Sequence, residues 1–354
     1  MTSPRNAADP HHHWARPGAS PPRSPYELNQ RLGAAARTHA PGGLGVVDTE
    51  TIVDTTSAAA AADQGHGPDP IEAAEQLGAA TDAAQDRTRT AFPESRPVSW
   101  AAFGPLIPVL AGSAGAGASC VAAAIVDALQ QDQRCALLID ADDPARSGLA
   151  GASSVDGPWT RQINDHLTVR YSWRADALLA RLETRDPATL PTITPGMVPP
   201  PPDWLPDPAP DPLHATVVDL GHGGWRAAAT PIYGAGGWLR RGLPTQRPIL
   251  VVRATRPSLR QAEQILARLD PWIQRRLATP IYQLVVNGAR KWPAGVVGAA
   301  GPRVAALLDE ALFVPHVPAW EVGGVTDEPS PARAVDALRP LLASWQLIPS
   351  PRRR

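Results

Sequence analysis

From residue 106 onward, short apolar runs alternate with amphipathic stretches. The runs are Leu106–Leu110, Cys135–Ile139, Ala215–Leu220, Pro248–Val252, Tyr282–Val286 and the shorter Leu312–Val314. Most of them lead into Gly, Asp, Asn or Pro, the pattern of strands buried on both faces of a parallel sheet. Between them the period lengthens to that of a helix. Val121, Ile125 and Leu129 recur every four residues over Ser119–Gln131, giving that helix one packing face. Ser258–Leu269 places Leu259, Ala262, Leu266 and Leu269 on an inner face, and Ser258 with Gln261 fits a capping box. Arg303–Glu310 reads as a further helix. Ser330 and Pro331 occupy the favoured N-cap and N1 positions of the last one. Its stripe is Ala334, Val335, Leu338, Leu341, Leu342 and Trp345, with a kink expected at Pro340. Leu167–Tyr171 is a weaker, alternating strand, and Ala175–Leu182 reads as a short helix.

Strands alternating with helices predict an α/β fold: a mainly parallel sheet flanked by helices on both faces. Right-handed crossovers would align the strand C-termini along one edge. That edge would gather the glycine-rich turn after Leu110, then Asp140, Asp142, Asp219 and Asn287.

Composition divides the rest. Residues 1–98 are rich in Ala, Pro, Asp, Gly and Thr with few large apolar residues, so a long disordered tail is expected before a globular domain over 99–348. The tail's first forty residues lean basic, while Asp48–Asp86 leans acidic. His11, His12 and His13 lie in it and could hold a metal loosely, although a His run in a tail is more often simply solvated. A Pro-rich insertion over 191–213, containing PPPP and PDPAPDP, reads as a surface loop because proline cannot serve a sheet interior. Residues 349–354 form a basic tail.

Charge and cysteine content exclude several classes. Net charge is -1, so no overall basic field points to nucleic acid. The two cysteines, Cys120 and Cys135, are too few for a disulfide framework and show no metal spacing. Trp100–Val126 is uncharged throughout. It is nevertheless mostly Ala, Gly and Ser with two early prolines, so a buried strand, turn and helix explain it better than a membrane span. The opening residues lack the apolar stretch of a secretory leader, and a cytoplasmic location is expected. Heavy Ala, Pro and Arg use with a single lysine, Lys291, fits a GC-rich bacterial genome.

The chemistry concentrates in the turn 111-AGSAGAGAS-119. It matches the phosphate-binding pattern G-x-x-x-x-G-K-[ST] at Gly112, Gly117 and Ser119, with Ala118 where the lysine belongs. Glycines in such a loop let main-chain N–H groups wrap phosphate oxygens at a helix N-terminus. A rival reading is the dinucleotide fingerprint. Gly115 and Gly117 would be its first two glycines, with Cys120 at the third and Asp140 near the ribose distance. That fingerprint should open almost as the strand ends, and it gives Asp219 no role. The remaining candidates have structural readings too. Asp140, Asp142 and Asp219 can cap turns. Trp225, Trp238, Trp292 and Trp320 read as satellite packing. His214, His222 and His316 lack a nucleophilic partner.

The pieces AGSAGAGASCVAAAIVDAL and LLIDADDPARSGL, then TVVDLG, PILVVRATRPSLRQAE and LVVNGAR, together resemble the ParA/MinD family of deviant Walker ATPases. The resemblance spans about residues 106–342. It implies a P-loop NTPase-like fold with a nucleotide site at Gly112, Gly115, Gly117, Ala118, Ser119, Cys120 and Asn287, the last beside adenine. It makes Asp140 the candidate catalytic residue near the attacking water, and Ser119 and Asp219 the Mg²⁺ ligands. Members form ATP-dependent dimers that position DNA, division sites or secretion machinery, so a homodimer and a protein partner are both implied. Two lysines of the family pattern are absent. The loop lysine is Ala118, and the additional signature lysine near the loop start is Ser113. Losing one buried charge-assisted contact of this kind costs about 2–5 kcal/mol. Efficient hydrolysis is therefore not expected, and ATP or ADP with Mg²⁺ would bind weakly. The leading expectation is a scaffold or regulator in positioning, partitioning, secretion or conjugation. An active dimerising switch, with Arg161, Arg253 or Arg256 replacing a lysine, and a dinucleotide-dependent enzyme are the alternatives.

Overall fold

The computed structural model describes residues 100–155, 159–185, 193, 195–206, 213–221, 223–243 and 245–350. Expectations for residues 1–98, His222 and residues 351–354 lie outside this set.

Nine strands form one sheet. They are β1 (Leu106–Ala111), β2 (Ala136–Asp140), β3 (Thr160–Gln162), β4 (Leu167–Arg174), β5 (Ala177–Thr184), β6 (Ala215–Gly221), β7 (Ile249–Arg253), β8 (Gln283–Asn287) and β9 (Leu312–Val314). Their spatial order is β3-β4-β5-β2-β6-β1-β7-β8-β9. From β5 to β9 every neighbouring pair is parallel, while β3-β4 and β4-β5 are antiparallel. This is the mainly parallel, helix-flanked α/β fold that the alternating runs imply. Strands β1, β2, β6 and β8 are buried at every position, which is why each reads as a continuous apolar run.

Helices cover both faces. They are α1 (Ala118–Gln131), α2 (Gly224–Ala229), α3 (Arg256–Gln274), α4 (Pro302–Ala305), α5 (Pro318–Gly323) and α6 (Ala332–Ser344). On one face Ile107 and Val109 of β1 share a core with Val121, Ile125 and Leu129 of α1 and with Val335, Leu338 and Leu342 of α6. Leu259, Leu266 and Leu269 of α3 are buried outside that cluster, on the other side of the sheet. No helix among the described residues is long and apolar enough to cross a membrane.

The structure corrects several local expectations. Residues 177–184 form β5 rather than a helix. Their Ala, Leu and Arg content favours helix intrinsically, but β5 pairs with β4 on one side and β2 on the other, and that pairing wins. The hairpin turns at Ala175, whose φ of 49° departs from the ordinary region. The cap of α3 is Thr255, whose side chain accepts from the Ser258 amide, so Ser258 lies inside the first turn. Helix α6 begins at Ala332 after Pro331, and the Ser330 amide bonds Asp127 instead. It continues through Pro340. The expected 303–310 helix is helical only over 303–305, as the end of the short helix Pro302–Ala305.

The described part of the Pro-rich insertion is packed, not a solvated loop. Trp204 is fully buried and its Nε1 donates to the Pro199 carbonyl at 2.9 Å. Val198 and Leu205 are buried with it, and Arg161 of β3 pairs with Asp203 at 3.1 Å.

Candidate functional site

The glycine loop leaves β1 at Ala111 and feeds straight into α1. Close approach explains two of its glycines. A Cβ on Gly112 would stand 2.8 Å from Val252 Cγ1. Gly117 is the N-cap of α1 with φ of 90°, and a Cβ there would lie 2.1 Å from Asn287 Nδ2. Asn287, buried at the end of β8, donates through Nδ2 to the Ala116 carbonyl at 3.0 Å. Its amide braces the loop from two strands away. At the loop start, Ser113 Oγ and Ser258 Oγ are 2.7 Å apart, and Ser258 Oγ also accepts from the Arg253 amide at 3.0 Å. Ser113 is thus tied to the first turn of α3.

The first turn of α1 contains Ala118, Ser119 and Cys120. Its leading N–H groups have no intrahelical acceptor and carry the positive end of the helix dipole. The loop and this turn line a cavity of about 550 Å³, together with Arg146, Gly148, Gly221, Gly324 and Val325. Ala118 is buried at its wall beside the core, and the cavity contains no lysine because the chain's single lysine is Lys291.

Two carboxylates stand next to the loop. Asp140 and Asp219 are register partners on β2 and β6. Asp219 is fully buried. Its Oδ1 accepts from the Gly221 amide at 2.8 Å, Ser119 donates to its carboxyl, and its Oδ2 has no partner. Asp140 is almost as deep; Ser147 Oγ donates to its Oδ2 at 2.5 Å and its Oδ1 has no partner. Burial pushes the Asp219 carboxyl up to about 8, with the charge of Asp140 adding to the rise and the Ser119 hydrogen bond opposing it. Burial likewise lifts Asp140 to about 7, against the Ser147 hydrogen bond. The two interact, so they titrate as a pair. Burial also raises the Cys120 thiol to about 11, which favours the protonated form.

Asp142 is buried beyond the end of β2, with Oδ1 accepting from the Asp143 amide at 2.9 Å. The structure therefore gathers Gly112, Gly115, Gly117, Ala118, Ser119, Cys120, Asp140, Asp142, Asp219 and Asn287 at one sheet edge. It separates two of the three arginines proposed as lysine substitutes from the loop: Arg161 is on the far edge strand β3, and Arg256 Nε donates to the Gly295 carbonyl at 3.0 Å. Arg253, on β7 beside β1, lies within electrostatic reach of Cys120 in the first turn of α1 and pairs with Glu321 at 3.4 Å. The arginine on the loop cavity is Arg146, which sequence reasoning passed over. It lies six residues past Asp140, and nothing in the sequence fixes the direction of that side chain. Trp238 is buried against Phe103 at 5.7 Å between ring centroids, as satellite packing requires. His214 accepts from the Cys135 amide through Nδ1 at 3.1 Å, and His316 lies 3.4 Å from Glu321.

No protein-family model matches the chain, and no curated protein matches it. Solved structures do. The MinC:MinD cell division protein complex of Aquifex aeolicus is similar at 17% identity, over 71% of this chain and 99% of that one, with a TM-score of 0.42. The MinD cell division protein of the same organism is similar at 17% identity, over 68% and 97%, with a TM-score of 0.39. A ParA family ATPase from Chlorobium tepidum TLS is similar at 17% identity, over 67% and 98%, with a TM-score of 0.37.

Proposed function

We propose that this protein is a degenerate ParA/MinD-like ATPase. It holds Mg²⁺-nucleotide weakly, hydrolyses it inefficiently, and acts as a scaffold or regulator in positioning, partitioning, secretion or conjugation. One observation carries this reading: a glycine loop at a helix N-terminus stands beside two buried carboxylates, and no lysine reaches its cavity.

The residues suit the chemistry of a divalent ion. Asp219 Oδ2 and Asp140 Oδ1 are buried oxygens without partners, and the Ser119 hydroxyl lies against Asp219. A hard cation takes oxygen ligands of this kind. Ser119 and Asp219 would hold Mg²⁺, which would offset phosphate charge. The main-chain N–H groups around Gly115–Cys120 would hold the phosphates. Asp140, raised to about 7, lies where a general base works well, so the weakness of this site falls on its phosphate contacts rather than on that carboxyl. Without a lysine, the phosphates meet negative charge with little to balance it.

The placement of Asp219 beside the loop favours this reading over the dinucleotide one, in which that residue has no role. A second reading is an active, ATP-dependent dimerising switch; the observation in its favour is Arg146 on the loop cavity. Steady-state ATP hydrolysis by the full chain separates the two. The degenerate reading expects a rate indistinguishable between the parent protein and Asp140→Ala. Robust Mg²⁺-dependent turnover that Asp140→Ala abolishes would overturn it.

A further inference from the structure

A second cavity opens at the same sheet edge, between the ends of β2 and β6 and the Pro-rich insertion, with a volume of about 250 Å³. We propose that it is a binding site for a small organic anion: a carboxylate or phosphate on a compact apolar body. This site goes beyond the nucleotide reading and does not rest on it.

The cavity has a built apolar wall. Ile193 and Val198 come from the insertion, Leu220 from β6 and Ala235 from the short helix Gly234–Leu239; all four are buried. The described part of the insertion is packed against the rest of the protein. Trp204 is its fully buried anchor, and Gly196 approaches Tyr233 so closely that a Cβ there would lie 2.7 Å from the ring. An anchored insertion carrying apolar residues into a crevice at the carboxyl ends of parallel strands is how α/β sheets build ligand sites.

Two guanidinium groups and two carboxylates, Asp142 and Asp143, line the cavity, and the guanidinium groups are the ones left without a bonded partner. Arg146 and Arg226 both line it, both are exposed, and neither makes a side-chain hydrogen bond or ion pair among the described residues. Other arginines of this molecule are engaged: Arg174 with Asp127, Arg303 with Glu263, Arg339 with Asp132. Each acid at the wall has one oxygen on a main-chain amide. Asp142 Oδ1 accepts from the Asp143 amide, and Asp143 Oδ1 accepts from the Ala145 amide. The indole of Trp225 completes the lining, fixed by the Arg268 guanidinium 3.5 Å from its ring centroid. Two guanidinium groups without a bonded partner, an aromatic ring and an apolar wall suit an anion with a hydrophobic body. The volume, just below the ~300 Å³ at which drug-sized sites begin, suits a compact ligand.

The test is calorimetric titration of the full chain with phenylacetate, with phenyl phosphate and with 2-phenylethanol as the uncharged control. The expected result is saturable binding of at least one anion, with the alcohol weaker by about tenfold or more, the loss of one charge-assisted contact. The two anion arms distinguish carboxylate from phosphate. Arg226→Ala should weaken the anion by about tenfold or more on the same ground. Arg226 lines this cavity and not the loop cavity, so its ATP titration should be unchanged, and failure here is distinguishable from failure of the nucleotide reading. Val198→Phe, which fills the cavity and keeps the charges, should abolish binding. The proposal is overturned if neither anion saturates, if the alcohol binds equally, or if both variants bind like the parent.

Discussion

Asp140 and Asp219 sit side by side in the parallel register of β2 and β6, both buried, each with one carboxyl oxygen that has no hydrogen-bond partner. Two like charges in that position oppose each other and resist desolvation. Their neighbours reduce the problem without solving it: Ser147 serves Asp140, and Ser119 with the Gly221 amide serves Asp219.

The first prediction concerns pH. Both carboxyls are raised in the folded state, Asp140 to about 7 and Asp219 to about 8, while in the unfolded chain they return to the usual carboxylate range. The folded state therefore binds protons more tightly. Their contribution to stability is fully present below the unfolded value and is lost as pH rises through the folded values. With a chelator present, the thermal midpoint should fall between pH 5 and pH 8 by way of this pair. Asp219→Asn should flatten that slope and raise the midpoint at pH 8 by about 2–4 °C, the shift expected for roughly 1 kcal/mol. A variant as pH-sensitive as the parent would contradict this.

The second concerns the loop backbone. Gly117 has a positive φ and presses on Asn287. Gly117→Ala should cost about 1–3 kcal/mol in urea unfolding. Asn287→Ala, which removes the donor to the Ala116 carbonyl, should cost about 1 kcal/mol. If both unfold like the parent, Asn287 does not brace the loop.

The third concerns a buried ion pair. Arg174 lies at the end of β4 and Asp127 in α1, 2.8 Å apart and both buried. Arg174 also donates to the Ala152, Thr326 and Glu328 carbonyls, and Asp127 accepts from the Ser330 amide. The pair thus ties the segment before α6 to the sheet. Arg174→Met should cost about 3–5 kcal/mol in urea unfolding, because it strands the Asp127 charge. A loss under about 1 kcal/mol, the level of a surface pair, would contradict this role.

The sequence disclosed the strands well because the central ones are buried on both faces, which leaves unbroken apolar runs such as those of β1, β2 and β6. It misread β5 because its residues favour helix and its hairpin turn, Ala175-Asp176, contains no glycine or asparagine. The packed insertion was hidden because its prolines outweigh Trp204, the residue that buries it. At the site, the loop, Asp140, Asp219 and Asn287 were legible from strand ends alone. Arg146 was not, because a loop position does not specify which cavity its side chain lines. The bond from Asn287 to Ala116 depends on β8 lying two strands from β1, and sheet order is not written in any one segment.

The fourth prediction restores what is missing. Ala118 lines the loop cavity at the position of the pattern's lysine. Ala118→Lys should add a charge-assisted phosphate contact and shed some of the carboxylates' repulsion. Nucleotide affinity should rise by at least about tenfold, equivalent to 1.4 kcal/mol. Ser113→Lys should gain less, because it breaks the hydroxyl bond to Ser258.

The central claim is that this loop is a phosphate cradle weakened by the loss of its lysines, and calorimetric titration of Mg²⁺-ATP into the full chain and into Ala118→Lys tests it most directly. The account predicts weak, Mg²⁺-dependent binding to the parent and clearly tighter binding to the variant. Tight binding to the parent that Ala118→Lys leaves unchanged would contradict it.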